Sequence, residues 1–153
     1  MEKSNFKHHS TLRVRNYEVD WQGIVHNAVY LQHFEVGRIE YLRHLGVKID
    51  LNSIQDESKV VLVRNEIDYR SPARFDEELK IWSRIIYIRD SSFVFEGIIE
   101  ESKRERLTAE NVAVHVWLDS RTGRPKTVPD EFRSMIQRFE GDSFSNLRPP
   151  ILT

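Results

Sequence analysis

One helical segment followed by four strand-like segments is the feature that most constrains the fold of this chain. From about Asn27 to Leu45, apolar residues recur at helical spacing and define one side of a helix: Ala28, Leu31, Phe34, Leu42 and Leu45. The later segments are rich in β-branched and aromatic residues: Val60–Tyr69, Leu79–Ile88, Phe93–Ile99 and Leu107–Leu118. Short turns between strands favour antiparallel pairing, and an apolar helix face must pack on another element. The pattern predicts an α+β fold, in which a curved antiparallel meander packs around one long helix.

The segments around the long helix add one strand and two helix boundaries. Residues 10–19 have the alternation of a first strand, which brings the sheet to five strands. Asn27 is a favourable N-cap residue, and Gly46 is well placed to end the helix.

The C-terminal third predicts a short helix and a tail. Pro129–Phe139 has helical character with proline in the first turn. Residues 47–58 are predicted to be irregular, and residues 141–153 to run over the surface. We expect a single domain over residues 1–153, with its core between about 8 and 140.

Composition excludes several functional classes. The 153 residues carry 23 basic and 24 acidic side chains, so the chain lacks the basic charge of a nucleic-acid-binding protein. The absence of cysteine excludes disulfides, thiolate metal sites and a cysteine nucleophile. None of the six histidines has the spacing of a metal site, and no cofactor is expected. No apolar run is long enough for a signal peptide or a membrane span, which favours a cytoplasmic protein that does not contact membranes.

A polar loop before the long helix carries the residues with catalytic potential. Asp20, Gly23 and His26 lie directly before Asn27, where the helix is predicted to begin. The first N–H groups of a helix have no partner within it and carry partial positive charge. A carboxylate beside such donors, with a glycine that permits a tight turn, is suited to chemistry on a carbonyl group.

The run DWQGIVHNAVY from Asp20 to Tyr30, followed by Phe34-Glu35 and Gly37-Arg38, resembles the hotdog fold. More narrowly, it resembles the 4-hydroxybenzoyl-CoA thioesterase-like branch of acyl-CoA thioesterases. The resemblance continues through 69–77, Ser92-Phe93 and Val128-Pro129 and covers about residues 8–140. Ile24 stands where some relatives have histidine, and His26-Asn27 where others have Tyr-His. The resemblance implies a five-stranded sheet wrapped around one helix, and a thioester hydrolase.

The resemblance also implies roles for the loop residues. Asp20 would attack the thioester to form a mixed anhydride, or would activate water as a general base. A backbone amide at about Asn27 would donate to the oxyanion, and Gly23 would let the substrate approach the backbone. His26 would contact the ligand or assist proton transfer, and Tyr30 would line the substrate site. For Asp20 the alternative is a turn carboxylate, and for His26 an ordinary residue at a helix start.

Binding of coenzyme A requires cations for its phosphates. Arg89 corresponds to a nucleotide-contacting position in relatives; Ser91 nearby, and Arg124 and Lys126 farther along, are further candidates. The alternative for these positions is ordinary solvated surface. The resemblance further implies a homodimer or homotetramer with active sites at subunit interfaces.

Other functions remain open at this point. An acyl-carrier-protein thioesterase or a non-catalytic acyl-binding protein would use the same scaffold. Hotdog hydratases have a different motif, in which a catalytic Asp and His are five residues apart with a proline between them. A hydratase is therefore disfavoured, because Asp20 and His26 are six residues apart with no proline between them. Glu35 corresponds to a helical carboxylate that some hotdog thioesterases use, but we predict an ordinary ion pair with Arg38.

Overall fold

The computed structural model describes residues 1–48 and 58–147. Its helices and strands in chain order are β1 His8–Arg13, α1 Asn27–His44, β2 Ser58–Tyr69, β3 Glu78–Ile88, β4 Ser92–Glu101, β5 Arg106–Asp119, α2 Asp130–Glu140 and β6 Ser145–Asn146. The predicted α+β class, the long helix and the five principal strands are confirmed.

The sheet has the order β1-β3-β4-β5-β2, with antiparallel pairing throughout this path. Strands β3, β4 and β5 form the predicted meander. The prediction is wrong for β2, which pairs with β5 at the far edge of the sheet and not with its successor β3. Residues 70–77 connect β2 at one edge of the sheet to β3 near the opposite edge, so this connection is not a hairpin turn. Irregularities in β2, β3 and β5 accompany the curvature of the sheet.

Sequence periodicity predicted the buried row of helix α1 only in part. Phe34 is fully buried as predicted and Tyr41 is fully buried as well, whereas Ala28 is exposed and Leu31 and Leu42 are half-buried. The contact with β3 depends on Gly37, where an added Cβ would lie 2.4 Å from Ile81 Cγ2. The helix therefore approaches the sheet most closely along a row that contains a glycine, which a scan for apolar residues does not detect.

Two apolar clusters fill the space between the helices and the sheet. One lies under the first half of α1 and includes Val25, Tyr30 and Phe34, with Leu79 and Ile81 from β3. The other includes Tyr41 and lies under α2, among Ile85, Phe93, Phe95 and Ile136. The first cluster supports the loop that carries Asp20.

Some predicted boundaries change in the structure. Strand β1 ends at Arg13, and Asn16–Glu18 forms a short 3-10 helix in place of the strand predicted over residues 10–19. His26, not Asn27, is the N-cap of α1, while Gly46 ends the helix as predicted, with φ 92° and its N–H bonded to the Arg43 carbonyl.

The predicted surface tail is partly wrong. Ser145–Asn146 pairs in parallel with the end of β3, and Phe144 is buried against the second apolar cluster. Residues 49–57, most of the predicted irregular stretch, and the tail residues 148–153 lie outside the described residues.

Candidate active site

The loop before α1 folds as a narrow hairpin. Asp20 N–H donates to the Ile24 carbonyl at 2.9 Å, and His26 N–H donates to the Glu18 carbonyl at 3.0 Å. Val19 and Val25 form a bridge between these two hydrogen bonds. Asp20 therefore lies opposite Ile24, about 10 Å along the hairpin from Asn27, the residue at which α1 begins.

The hairpin turn uses one oxygen of the Asp20 carboxylate. Oδ1 accepts from the backbone N–H of Gln22 at 2.8 Å and from that of Ile24 at 3.4 Å. Within residues 1–48 and 58–147, Oδ2 has no hydrogen-bond donor. Gly23 closes the turn with φ 79°, a conformation that favours glycine. One oxygen of Asp20 therefore stabilises the turn, which is the alternative role considered above, and the second oxygen is available for chemistry.

The β2–β3 connection holds the other side of the hairpin. Val25 N–H donates to the Ala73 carbonyl at 2.9 Å, and Phe75 N–H donates to the Gly23 carbonyl at 3.1 Å. The buried Tyr30 hydroxyl accepts from the Ala73 N–H at 2.9 Å. These bonds fix the position of the Asp20 turn relative to α1.

The first turn of α1 presents unpaired backbone donors. In the described part of the chain, the N–H groups of Asn27 and Ala28 meet no acceptor, and the His26 side chain makes no capping bond. Both residues are exposed. The partial positive charge of the helix is concentrated at such groups. This end of α1 therefore presents free donors, and the binding of an oxyanion by the Asn27 amide stays a prediction.

A cavity of 320 Å³ lies at this helix end. It is lined by Ile24, Val25, Asn27, Tyr30, Tyr69, Arg70, Ser71 and Pro72. The Tyr69 hydroxyl donates to the Asn27 carbonyl at 2.9 Å, and the Tyr69 and Tyr30 rings meet edge to face at 5.3 Å. The predicted site residues Asn27 and Tyr30 thus share one cavity, and Tyr69 is a member that sequence reasoning missed.

A buried hydrogen-bonded pair, Glu18 and His33, supports the hairpin from below. Glu18 Oε2 lies 2.8 Å from His33 Nε2, and Glu18 Oε1 accepts from the Arg15 N–H at 2.7 Å. Burial raises the pKa of Glu18, but the hydrogen bonds from the Arg15 N–H and from His33 outweigh it and hold the pKa below its usual range. The ionised carboxylate therefore accepts from His33 Nε2–H. Sequence reasoning missed this pair. The signal that could have indicated it is a histidine on the buried side of α1 and a glutamate two residues before Asp20.

A larger cavity of 430 Å³ runs along α1 between the helix and strands β2, β4 and β5. Its lining is mainly apolar and includes Leu31, Ile39, Leu42, Leu62, Phe93 and Phe95. Leu31 is one helical turn beyond Asn27, so the cavity begins close to the helix end that carries the free donors. Its size and apolar lining suit an acyl group.

The predicted Glu35–Arg38 ion pair is absent among the described residues. The Arg38 guanidinium instead donates from Nη1 to Asn111 Oδ1 at 3.2 Å, and Glu35 is exposed at the larger cavity. Asn111 in turn donates to Asn65 Oδ1 at 2.5 Å. This buried polar group lay outside the sequence prediction because Asn65 and Asn111 are 46 residues apart.

The predicted coenzyme A contacts lie at the other end of the sheet. The turn that carries Arg89 and Ser91 is joined to the segment that carries Lys126 by hydrogen bonds between Asp90 and residues 127 and 128. Arg124 lies in the same segment. Strand β3 separates this end from the Asp20 hairpin by roughly 30 Å. The structure brings the predicted cations together but does not bring them to Asp20 within one subunit, so their role stays a prediction.

Neither a metal site nor a membrane span is found within the described ranges. No group of three or more acidic or histidine side chains there is arranged to hold a metal ion. No helix there is long and apolar enough to cross a membrane.

Comparisons with known proteins identify the family. The model of the thioesterase-like superfamily matches residues 14–136. The acyl-acyl carrier protein thioesterase ATL2 of Arabidopsis thaliana is 30% identical over 134 residues, which cover 87% of this chain and 70% of that protein. The acyl-CoA thioester hydrolase YbgC of Escherichia coli O157:H7 is 29% identical over 130 residues, which cover 84% of this chain and 92% of that protein.

A solved structure agrees in fold and sequence. The crystal structure of a Thermus thermophilus thioesterase complexed with coenzyme A and Zn superposes with a TM-score of 0.76 at 29% identity. The match covers 90% of this chain and 97% of that one. The family match spans the Asp20 hairpin, α1 and all four later strands. The chain therefore belongs to the thioesterase-like superfamily, and it is a thioester hydrolase with the hotdog fold.

Proposed function

We propose that this protein hydrolyses acyl-CoA thioesters, with Asp20 as the catalytic carboxylate and the first amides of α1 as oxyanion donors. The observation that carries the proposal is that the hairpin with the Asp20 carboxylate leads directly into α1. Among the described residues, one oxygen of this carboxylate is free, and the first two N–H groups of the helix, those of Asn27 and Ala28, are unpaired. Donors of this kind act on the charge that develops on a thioester carbonyl oxygen, and loss of one typically lowers the rate by about 10²–10³.

Two routes fit this geometry. In one, Asp20 Oδ2 attacks the thioester carbon, the C–S bond breaks, the coenzyme A thiolate leaves, and water hydrolyses the mixed anhydride. In the other, Asp20 accepts a proton from a water molecule as that water attacks, and collapse of the tetrahedral intermediate expels the thiolate, which is then protonated. Both routes use the same amides and require no cofactor beyond the coenzyme A of the substrate.

We further propose that the active protein is at least a homodimer. The roughly 30 Å between the Asp20 hairpin and the Arg89 turn exceeds what one substrate would bridge within a subunit. The edge strand β2 also exposes apolar side chains, with Leu62 45% and Val63 57% exposed. An uncovered apolar edge favours pairing with another copy. In such an assembly the Arg89, Ser91, Arg124 and Lys126 groups of one subunit would serve the hairpin of another.

The carrier of the acyl group is the finer question, because the relatives include proteins named for coenzyme A and for acyl carrier protein. Thiol release from matched acyl-CoA and acyl-carrier-protein esters would decide between them. We expect turnover of acyl-CoA, with a loss of about 10³-fold or more in the Asp20→Asn variant. If only the carrier-protein esters turn over, the protein is an acyl-carrier-protein thioesterase and the coenzyme A proposal is wrong.

Glu35→Gln is the matched control, because it also removes one carboxylate near a cavity. It should retain activity within a few-fold of the wild type. If Glu35→Gln abolishes turnover and Asp20→Asn does not, Glu35 is the catalytic carboxylate. If the wild type binds acyl ligands but turns over neither kind of ester, the protein is an acyl-binding module.

A further inference from the structure

Among the residues that the structure describes, the buried guanidinium of Arg38 has no carboxylate partner. Arg38 is 7% exposed, and its one hydrogen bond within these residues is to the neutral amide oxygen of Asn111. Across the described residues, no carboxylate lies within 4 Å of it. Burial lowers the pKa of Arg38, and the more distant charge of Glu35 opposes this. A buried charge is costly unless it is paired, so a further acceptor is expected at this position.

The space beside the guanidinium is the 430 Å³ cavity, to whose lining Arg38 contributes. Asn65 and His115 add polar groups to the same wall. Burial, and secondly the charge of Arg38, lower the pKa of His115 to about 4, so its imidazole is neutral at pH 7. The cavity wall therefore presents one buried cation, the exposed carboxylate of Glu35 and neutral polar groups among apolar side chains.

We propose that the acyl group held in this cavity carries an oxygen acceptor remote from the thioester, and that the Arg38 guanidinium binds that oxygen. The inference rests on the proposed function, and it names the class of substrate: oxygenated acyl groups in preference to plain hydrocarbon chains. A hydroxyl, an oxo group and a carboxylate share the required chemistry, since each offers a lone pair to a charged donor.

The position of Arg38 places the oxygen along the acyl group. Arg38 is eleven residues beyond Asn27, which corresponds to about 16 Å along the helix axis. Helical side chains lean towards the N-terminus, which shortens the distance between the guanidinium and the oxyanion donors. The oxygen is thus several carbons away from the thioester carbonyl. Apolar residues farther along the cavity, such as Leu42 and Phe93, suit hydrocarbon.

The test measures binding without requiring catalysis. The ligands are non-hydrolysable thioethers of 4′-phosphopantetheine, the arm that coenzyme A and acyl carrier protein share. Each bears the same medium-length alkyl chain, either plain or with a hydroxyl, an oxo group or a terminal carboxylate. In calorimetric titrations, we expect the best oxygenated ligand to bind about 10- to 100-fold more tightly than the plain one.

Arg38→Met should remove that preference and leave the affinity for the plain ligand unchanged. Arg43→Met is the matched control, because Arg43 lies on the same helix but is exposed and paired with Glu40. It should retain the full preference. Should Arg38→Met fail to fold, the comparison of ligands on the wild type still decides the question.

Equal affinity of the wild type for plain and oxygenated ligands, or no binding of either, would overturn the proposal. A preference that survives Arg38→Met would do so too. Thiol release from the corresponding plain acyl-CoA and acyl-carrier-protein esters tests the proposed function separately. Turnover of these esters without any binding preference leaves hydrolysis established and removes only the oxygenated substrate class.

Discussion

His33 and Arg38 are basic residues on the same helix and are almost equally buried, yet their surroundings differ. His33 is 2% exposed and donates to the ionised Glu18, whose other oxygen is bonded to backbone. Within residues 1–48 and 58–147, Arg38 has a single hydrogen bond, to a neutral amide, and it contributes to the wall of a cavity. The first group is paired within the protein, and the second faces space that a ligand can fill.

This difference separates two uses of a buried polar group. A closed pair such as Glu18–His33 fixes the position of the segments that carry it, here the Asp20 hairpin and α1. An unpaired charge beside a cavity contributes less to the folded state and more to the choice of ligand. If this view is correct, substitution of the two residues should affect stability very differently.

The largest effect is expected for His33→Phe. The variant leaves Oε2 of the buried, ionised Glu18 without its hydrogen-bond donor and with only the Arg15 guanidinium, 3.9 Å away, which costs about 3–5 kcal/mol in the free energy of unfolding. Urea denaturation near neutral pH would measure it. His44→Phe, at an exposed histidine of the same helix, should change the free energy of unfolding by well under 1 kcal/mol in magnitude, roughly the range of surface substitutions. A similar value for both variants would show that the Glu18–His33 pair has no stabilising role.

The second prediction compares Glu18 with another buried carboxylate, Glu140. Burial raises the pKa of Glu140, even though the Tyr41 hydroxyl bonds it at 2.6 Å and Lys7 and Arg84 lie nearby. The pKa of Glu18 is lowered. A lowered pKa gives stability that is present above the unfolded-state pKa and is lost as pH falls through the folded-state value. A raised pKa gives stability that is present at low pH and is lost as pH rises through the folded-state value.

The variants Glu18→Gln and Glu140→Gln should therefore differ from the wild type in opposite pH ranges. Near neutral pH, Glu18→Gln should cost about 1–3 kcal/mol through weaker hydrogen bonds, and the cost should shrink in acid. Glu140→Gln should remove the loss of stability that the wild type suffers as pH rises. Urea denaturation over a series of pH values would measure both. Parallel pH profiles for the two variants would contradict the assignment of opposite pKa directions.

The sequence predicted the elements well, because periodicity depends on local spacing. The long helix and the four later strands follow from it, as does the polar loop that carries Asp20. It predicted the neighbours of β2 incorrectly, since strand order depends on a crossover through residues 70–77 that has no period. It also missed the role of Gly37, because the close approach of α1 to β3 requires the absence of a side chain.

The candidate site was predicted only where its residues are close in the sequence. Asp20, Gly23 and Asn27 lie within one motif, and the structure places them at one end of α1. Tyr69 and Asn111 come from strands that reach this helix only in the folded chain, so no local pattern indicates them. The charged turn at Arg89 was predicted from resemblance alone, and one subunit does not bring it to the hairpin.

The smallest effect on stability is expected for Arg38→Met. The substitution removes a buried charge that has no carboxylate partner in the described part of the chain. It puts in its place an apolar chain of similar length, a change that is often neutral or stabilising. The opposing effect is the loss of one hydrogen bond, which leaves Asn111 Oδ1 without the Arg38 donor and lowers the free energy of unfolding by about 1 kcal/mol. We therefore expect the free energy of unfolding to change by less than about 1 kcal/mol, measured by urea denaturation beside His33→Phe. A loss of the size predicted for His33→Phe would mean that Arg38 is a structural group like His33, and the comparison between the two would fail.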